Sequence, residues 1–291
     1  MSDEKTIQPA EPKQADELKD EERKADGSEK SLSHQSSLTL RLFAAVAFLT
    51  RVPLPKRFAF GAADVGRATL FFPLVGALIG ALQIVVFYTF QSAAQQSDLR
   101  TVLAAILIVV AGVFITGALH LDGLADMADG FGGGRDKESV LRIMRDSLIG
   151  SYGATALILI LLLKVTAIAV LIGEASAVRF LLLAPVIARW TSVPVGKFMP
   201  YARKEGGLGQ SITDFVGWKE LLGATFIALF FAFLILDWKQ TIAVFFVVGL
   251  LTALNALWAY RKIGGITGDT MGANTEICET AILLAAVFLK L

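Results

Sequence analysis

Apolar residues along this chain gather in long, nearly unbroken blocks instead of alternating with polar ones. From residue 70 onward seven such blocks follow one another: 70–90, 101–119, 149–172, 179–195, 220–236, 241–260 and 276–290. A helix needs about 20 apolar residues to cross the hydrocarbon core of a bilayer. The pattern therefore predicts an all-α, polytopic membrane protein with about seven transmembrane helices, within a range of about six to eight. An eighth block, Leu38 to Thr50, is shorter, is interrupted by Arg41, and runs into Pro53 and Pro55. Its length suits an N-terminal interfacial helix.

Composition agrees with the pattern. The 291 residues are 55% hydrophobic and only 18% charged, with a mean hydropathy of +0.62. Residues 1–37 are a different material, with ten acidic and six basic side chains and few large aliphatic ones. That composition cannot bury a core, so the chain divides into a disordered charged tail, 1–37, and an integral-membrane domain, 38–291. A net charge of +1 gives no sign of a nucleic-acid partner. The one cysteine, Cys278, has no partner for an internal disulfide and sits among apolar residues, which suits packing.

The loops between blocks alternate in basic content. Arg51, Lys56, Arg57 and Arg67 precede the first block; Arg135, Lys137, Arg142 and Arg145 follow the second; Lys197, Arg203, Lys204 and Lys219 follow the fourth. Arg261 and Lys262 follow the sixth, whereas the intervening loops carry one basic residue apiece, Arg100, Arg179 and Lys239. The positive-inside rule makes the basic set cytoplasmic, as in a bacterial inner membrane. Lys164 and Arg189 fall inside apolar blocks, where long cationic side chains can snorkel to the interface.

Chemistry concentrates on the basic side. Directly after the second block come His120, Asp122, Gly123, Asp126, Asp129 and Gly130. If the helix carries on past Leu119, Asp126 and Asp129 lie about 40° and about 20° from Asp122, on one narrow stripe. Stacked like charges destabilise a helix unless a cation neutralises them, and oxygen-only donors suit Mg²⁺, Mn²⁺ or Ca²⁺. Asp122, Asp126 and Asp129 are thus candidate metal ligands and catalytic residues. Arg142 and Arg145 in the same loop are candidates for phosphate oxygens, or serve only as topology charges. Loop 196–219 adds a basic, glycine-rich turn with Arg203; loop 261–275 adds glycines and Asp269. Glu276 and Glu279 are expected in the first turn of the last span, where the helix dipole favours carboxylates or where they extend the metal site. Acids, basic glycine-rich turns and a membrane surface together suggest metal-assisted transfer on a phosphate diester or anhydride.

His120 to Gly130 resembles the signature of the cobalamin synthase (adenosylcobinamide-GDP ribazoletransferase) family. So do Ile143–Met144–Arg145–Asp146–Ser147 with Gly150–Ser151–Tyr152–Gly153, Pro200–Tyr201–Ala202–Arg203, and Gly265 through Asp269 to Glu276 and Glu279. The likeness runs from about Leu38 to Leu291. It implies an Mg²⁺-dependent membrane enzyme that joins adenosylcobinamide-GDP to α-ribazole, or its 5′-phosphate, and releases GMP. Under it, Asp122 and Asp126 would hold metal and Asp129 would be the base. Asp146, Asp269, Glu276 and Glu279 would complete the metal or substrate shell. His120 either packs or touches substrate. CDP-alcohol phosphotransferases and corrinoid or metal transporters are the rival classes; the former place an Arg where this chain has Asp126.

Overall fold

The computed structural model describes residues 37–55, 58–94, 97–174, 176–207 and 209–289. The expected tail, apart from Ser37, lies outside them. The described chain is helical: α1 (Leu38–Leu49), α2 (Ala62–Ala68), α3 (Phe72–Ala94), α4 (Asp98–Thr116), α5 (Leu119–Gly133), α6 (Lys137–Ile143) and α7 (Ser151–Ile172). Then come α8 (Ala177–Trp190), α9 (Ser192–Phe198), α10 (Gln210–Phe215), α11 (Trp218–Ile235), α12 (Trp238–Ile263) and α13 (Gly268–Leu289). Among the described residues there is no β-strand, only an isolated parallel bridge between Tyr201 and Ile266.

Seven stretches are long and apolar enough to cross a membrane, as the block pattern predicts. The first, Ala62–Gln91, joins α2 to α3 through a 3₁₀ turn at Thr69–Phe71. Helix α1 has 12 residues, a rise of about 18 Å, too short to span. It packs by Ala44, Ala45 and Leu49.

Burial sorts the spans. The window around α8 and α9 is 72% buried and that of α13 is 61% buried, against 28% for α4, α7, α11 and α12. Helices α8 and α13 are therefore the centre. The outer helices turn large side chains such as Phe226, Phe230, Phe246 and Leu250 outward, where acyl chains solvate them. This inside-out arrangement is what a lipid solvent permits.

Two boundaries differ from the sequence expectation, and both shape the site. The second span does not carry on past Leu119: it ends at Thr116, and Gly117 and Ala118 both take left-handed conformations, φ +60°. The chain turns there and restarts as α5. The last helix begins at Gly268, eight residues earlier than the apolar block, so Asp269 occupies its first turn and Glu276 and Glu279 lie two to three turns inside.

Candidate active site

The turn at Gly117–Ala118 re-aims α5 so that it crosses the start of α13. Glycines make the crossing close: a Cβ on Gly123 would stand 2.8 Å from the Asp269 carbonyl oxygen, and one on Gly272 would stand 3.6 Å from the Cα of Gly123. Two helices approach this closely only where side chains are absent from the seam. The crossing puts Asp122 and Asp269 on the walls of one cleft of about 130 Å³, with His120, Gly209 and Gly268 beside them and Phe48 and Phe72 among its apolar lining. A larger groove of about 710 Å³, between α9 and α12, is lined by residues such as Pro194, Phe198, Ala253 and Leu257 and holds no carboxylate. Chemistry, not volume, selects the cleft.

Three loops expected on one side of the membrane meet around it. Arg203 of one donates to Asp269 of another at 2.6 Å and to the Met144 carbonyl of the third at 3.4 Å. The Tyr201–Ile266 bridge ties the same two segments, with the Ala202 N–H donating to the Ile266 carbonyl at 2.9 Å. Thr267 donates its hydroxyl to Asp269 at 3.3 Å.

The acids of α5 keep the predicted spacing but differ in surroundings. Asp122 is exposed and Asp126 half-buried. Burial, and then the charges of Asp122 and Asp269, push the Asp126 carboxyl up to about 7, while Arg203 opposes the shift. The carboxylates therefore feel one another strongly, and Arg203 alone does not neutralise them. Among the described residues no three Asp, Glu, His or Cys side chains converge tightly enough to enclose an ion. The donor set nevertheless fits Mg²⁺, which keeps several waters and is usually bound by one or two carboxylates plus substrate phosphates, not by an all-protein cage.

Asp129 has another task. Its two oxygens accept the backbone N–H groups of Gly150 at 2.7 Å and Gly153 at 2.8 Å, capping the N-terminus of α7 from 21 residues away. A helix leaves its first N–H groups without intrahelical partners, and a carboxylate there also meets the positive end of the dipole. The sequence expectation of a base or metal ligand at Asp129 is corrected on this ground: both oxygens face the α7 terminus.

Glu276 and Glu279 are corrected too. They are buried, 6% and 4% exposed, and neutralised by cations inside the bundle. Lys164 pairs with Glu276 at 2.5 Å and with Glu279 at 3.0 Å, and Arg189 pairs with Glu279. Two carboxylates matched by two cations leave no charge for a metal. Nor do Lys164 and Arg189 snorkel: both are buried in this network. His120 sits between the network and the cleft. Burial, and then the Arg189 charge, hold its imidazole well below the usual range, at about 3, so it is neutral, and its Nδ1 is buried without a partner.

The remaining candidates are peripheral. Arg142 is exposed; Arg145 is exposed and pairs with Glu205 at 2.8 Å; Asp146 is exposed and accepts the Leu148 N–H at 3.0 Å. What the sequence reading missed is the pairing of Lys164 and Arg189 with Glu276 and Glu279. Intramembrane cations separated from two equally buried acids carry a signal, since such groups pair with one another.

Comparison with known proteins decides the family. The cobalamin-5-phosphate synthase family matches residues 41–287. The chain belongs to the cobalamin-5-phosphate synthase family. It is 37% identical over 252 residues to the adenosylcobinamide-GDP ribazoletransferase of Chlorobaculum tepidum, covering 86% of this chain and 96% of the relative. The enzyme of that name from Sinorhizobium medicae is 41% identical over 248 residues, 82% of this chain and 92% of the relative. No solved structure matches. Membership makes this chain a membrane-embedded transferase of cobalamin synthesis.

Proposed function

We propose that the cleft joins adenosylcobinamide-GDP to α-ribazole, or its 5′-phosphate, with Mg²⁺ present, and releases GMP. What carries the reading is Asp122 and Asp269 on the walls of one cleft, with Arg203 bonded to Asp269 and Asp126 within reach of all three charges. The substrates are those that the names of the relatives carry. The basic content of the loops at that end of the bundle supports the reading that it faces the cytoplasm from a bacterial inner membrane.

In this transfer a hydroxyl oxygen of the ribose forms a P–O bond to the phosphorus next to cobinamide. The anhydride P–O bond breaks, GMP leaves with the bridging oxygen, and the hydroxyl proton is lost. Asp122 and Asp126 would hold Mg²⁺, which when bound neutralises the diphosphate and the leaving phosphate. Arg203, oriented by Asp269, supplies a fixed guanidinium for phosphate oxygens. Arg142 and Arg145 are exposed outside the cleft, Arg145 paired with Glu205, and their positive charge would attract the anionic substrate. Asp129 holds the start of α7 in place behind the acids. Neutral His120 closes the floor without adding charge.

The test is an assay of the purified, detergent-solubilised protein with both substrates. GMP release that requires α-ribazole and a divalent cation supports the reading. A protein that binds corrinoid but turns nothing over without two membrane-separated compartments belongs to a transporter.

A further inference from the structure

Helix α10 separates the acidic cleft from a second cavity of about 580 Å³. Ile212 lines the cleft, whereas Gln210, Ser211, Asp214 and Phe215 line the second cavity. Phe48 lines both. A base carried past Phe48 by a diphosphate lying against Asp122 and Asp269 would enter the second cavity. The volume falls in the range of small-molecule pockets, about 300–1,000 Å³.

We propose that this cavity binds the guanine base of the nucleoside-diphosphate substrate, with Asp214 reading its Watson–Crick edge. The proposal rests on the transferase reading above and names the subsite that reading leaves open. Aromatic rings supply the base-stacking surface: Phe48, Phe60 and Phe215 line the cavity, and Phe60 lies parallel to Phe58 at 6.4 Å, with an interplanar angle of 1°. Asp214 supplies the selectivity. It is exposed at the cavity and takes no hydrogen bond or ion pair among the described residues, so its acceptors are uncommitted.

Charge complementarity decides which base. An ionised carboxylate offers acceptors only. Guanine presents two adjacent donors, N1–H and N2–H, that a carboxylate can accept as a fork. Adenine presents one donor beside a lone pair on that edge, which a carboxylate repels. A benzimidazole with its nitrogen ribosylated has no N–H at all and would leave the carboxylate without a partner. The guanosine half of the cobinamide substrate is the component whose edge matches. An anionic lipid headgroup is disfavoured by the same carboxylate.

Product inhibition by GMP and by AMP, measured on the full-length protein in detergent at fixed Mg²⁺, tests the proposal. The wild-type protein is expected to bind GMP at least about tenfold tighter than AMP. Asp214→Asn is expected to raise the GMP inhibition constant about 10–100-fold, the usual loss when a charged hydrogen-bond acceptor goes. The AMP constant and the KM for α-ribazole should hold, so discrimination between the bases disappears. Phe60→Ala should weaken both nucleotides alike, since stacking is indifferent to the base. Should Asp214→Asn be inactive, equilibrium binding of GMP and AMP to that variant reads the same ratio. Retention of the wild-type ratio in Asp214→Asn overturns the proposal, as does a rise in the α-ribazole KM in place of the GMP constant. Absence of any GMP release by the wild-type protein is a different result: it overturns the transferase reading itself.

Discussion

Lys164 in the second half of α7 and Glu276 on α13 meet at 2.5 Å, each with 7% of its side chain exposed. Glu279 shares the lysine at 3.0 Å and is held from its other side by Arg189. Asp269 lies seven residues before Glu276, about 20° away around the helix axis. The stripe of α13 that faces the cleft at its start is therefore clamped two turns further in. The clamp binds the active-site end of α13 to α7 and α8.

Lys164→Met leaves two buried carboxylates with one cation between them. Breaking a buried pair by removing one partner costs about 3–5 kcal/mol, so the variant should yield little folded protein and show a depressed melting temperature in detergent. Lys164→Met with Glu276→Met removes one charge of each sign and should recover most of the lost stability. Equal damage from the single and double variants would contradict the pairing.

Asp129 and Asp122 should fail differently, although they lie on one stripe of one helix. Asp129→Ala strips two charge-assisted bonds from the α7 terminus, each worth about 1.5–3 kcal/mol. Thermal unfolding should register that loss. Asp122 is exposed, and its conversion to Asn should leave the melting temperature unchanged while activity collapses. An Asp129→Ala protein of wild-type stability would return Asp129 to the list of reacting groups.

These cases show what the sequence could and could not reveal. Span number is a property of block length, read along one dimension, and seven blocks became seven spans. The acid stripe was legible because i, i+4, i+7 spacing survives any helix direction. The cap on α7 was not, because Asp129 meets its partners through a fold that brings residues 129 and 150 together. Glu276 and Glu279 were misplaced because the apolar block starts at residue 276, whereas packing against α5 extends the helix back to Gly268 through a polar, glycine-rich segment. Their partners lie 112 and 115 residues away in sequence, beyond the reach of any local pattern.

Proton competition gives a pH dependence. In the metal-free protein the Asp126 carboxyl sits at about 7 instead of its ordinary 3.8. A raised carboxyl favours folding while it is protonated, so its contribution is complete below about pH 4 and is lost as pH rises through 7. Mg²⁺ needs the charged form. Its affinity should climb about tenfold per unit up to pH 7 and level off above, and Mg²⁺ should raise the melting temperature most above that point. Calorimetric titration with Mg²⁺ from pH 5.5 to 8.5 checks this; a flat profile would show that Asp126 is not a ligand.

Orientation is open to thiol labelling, because Cys278 is buried and gives little background. Cysteines placed at Gly133 and Gly206 should resist an impermeant maleimide in intact cells, and one at Gln240 should react. Labelling at Gly133 from outside would put the cleft on the wrong face of the membrane.

The most direct measurement is GMP release by purified wild-type, Asp122→Asn and Asp126→Asn proteins, supplied with adenosylcobinamide-GDP, α-ribazole and Mg²⁺. Loss of a metal ligand removes several kcal/mol of transition-state stabilisation, and each 1.36 kcal/mol is tenfold in rate. The wild type should release GMP only with Mg²⁺, and both variants, folded and membrane-inserted, should fall by about 10³-fold or more. Folded variants that release GMP at near wild-type rates would show that the acidic stripe of α5 is not the centre of the chemistry.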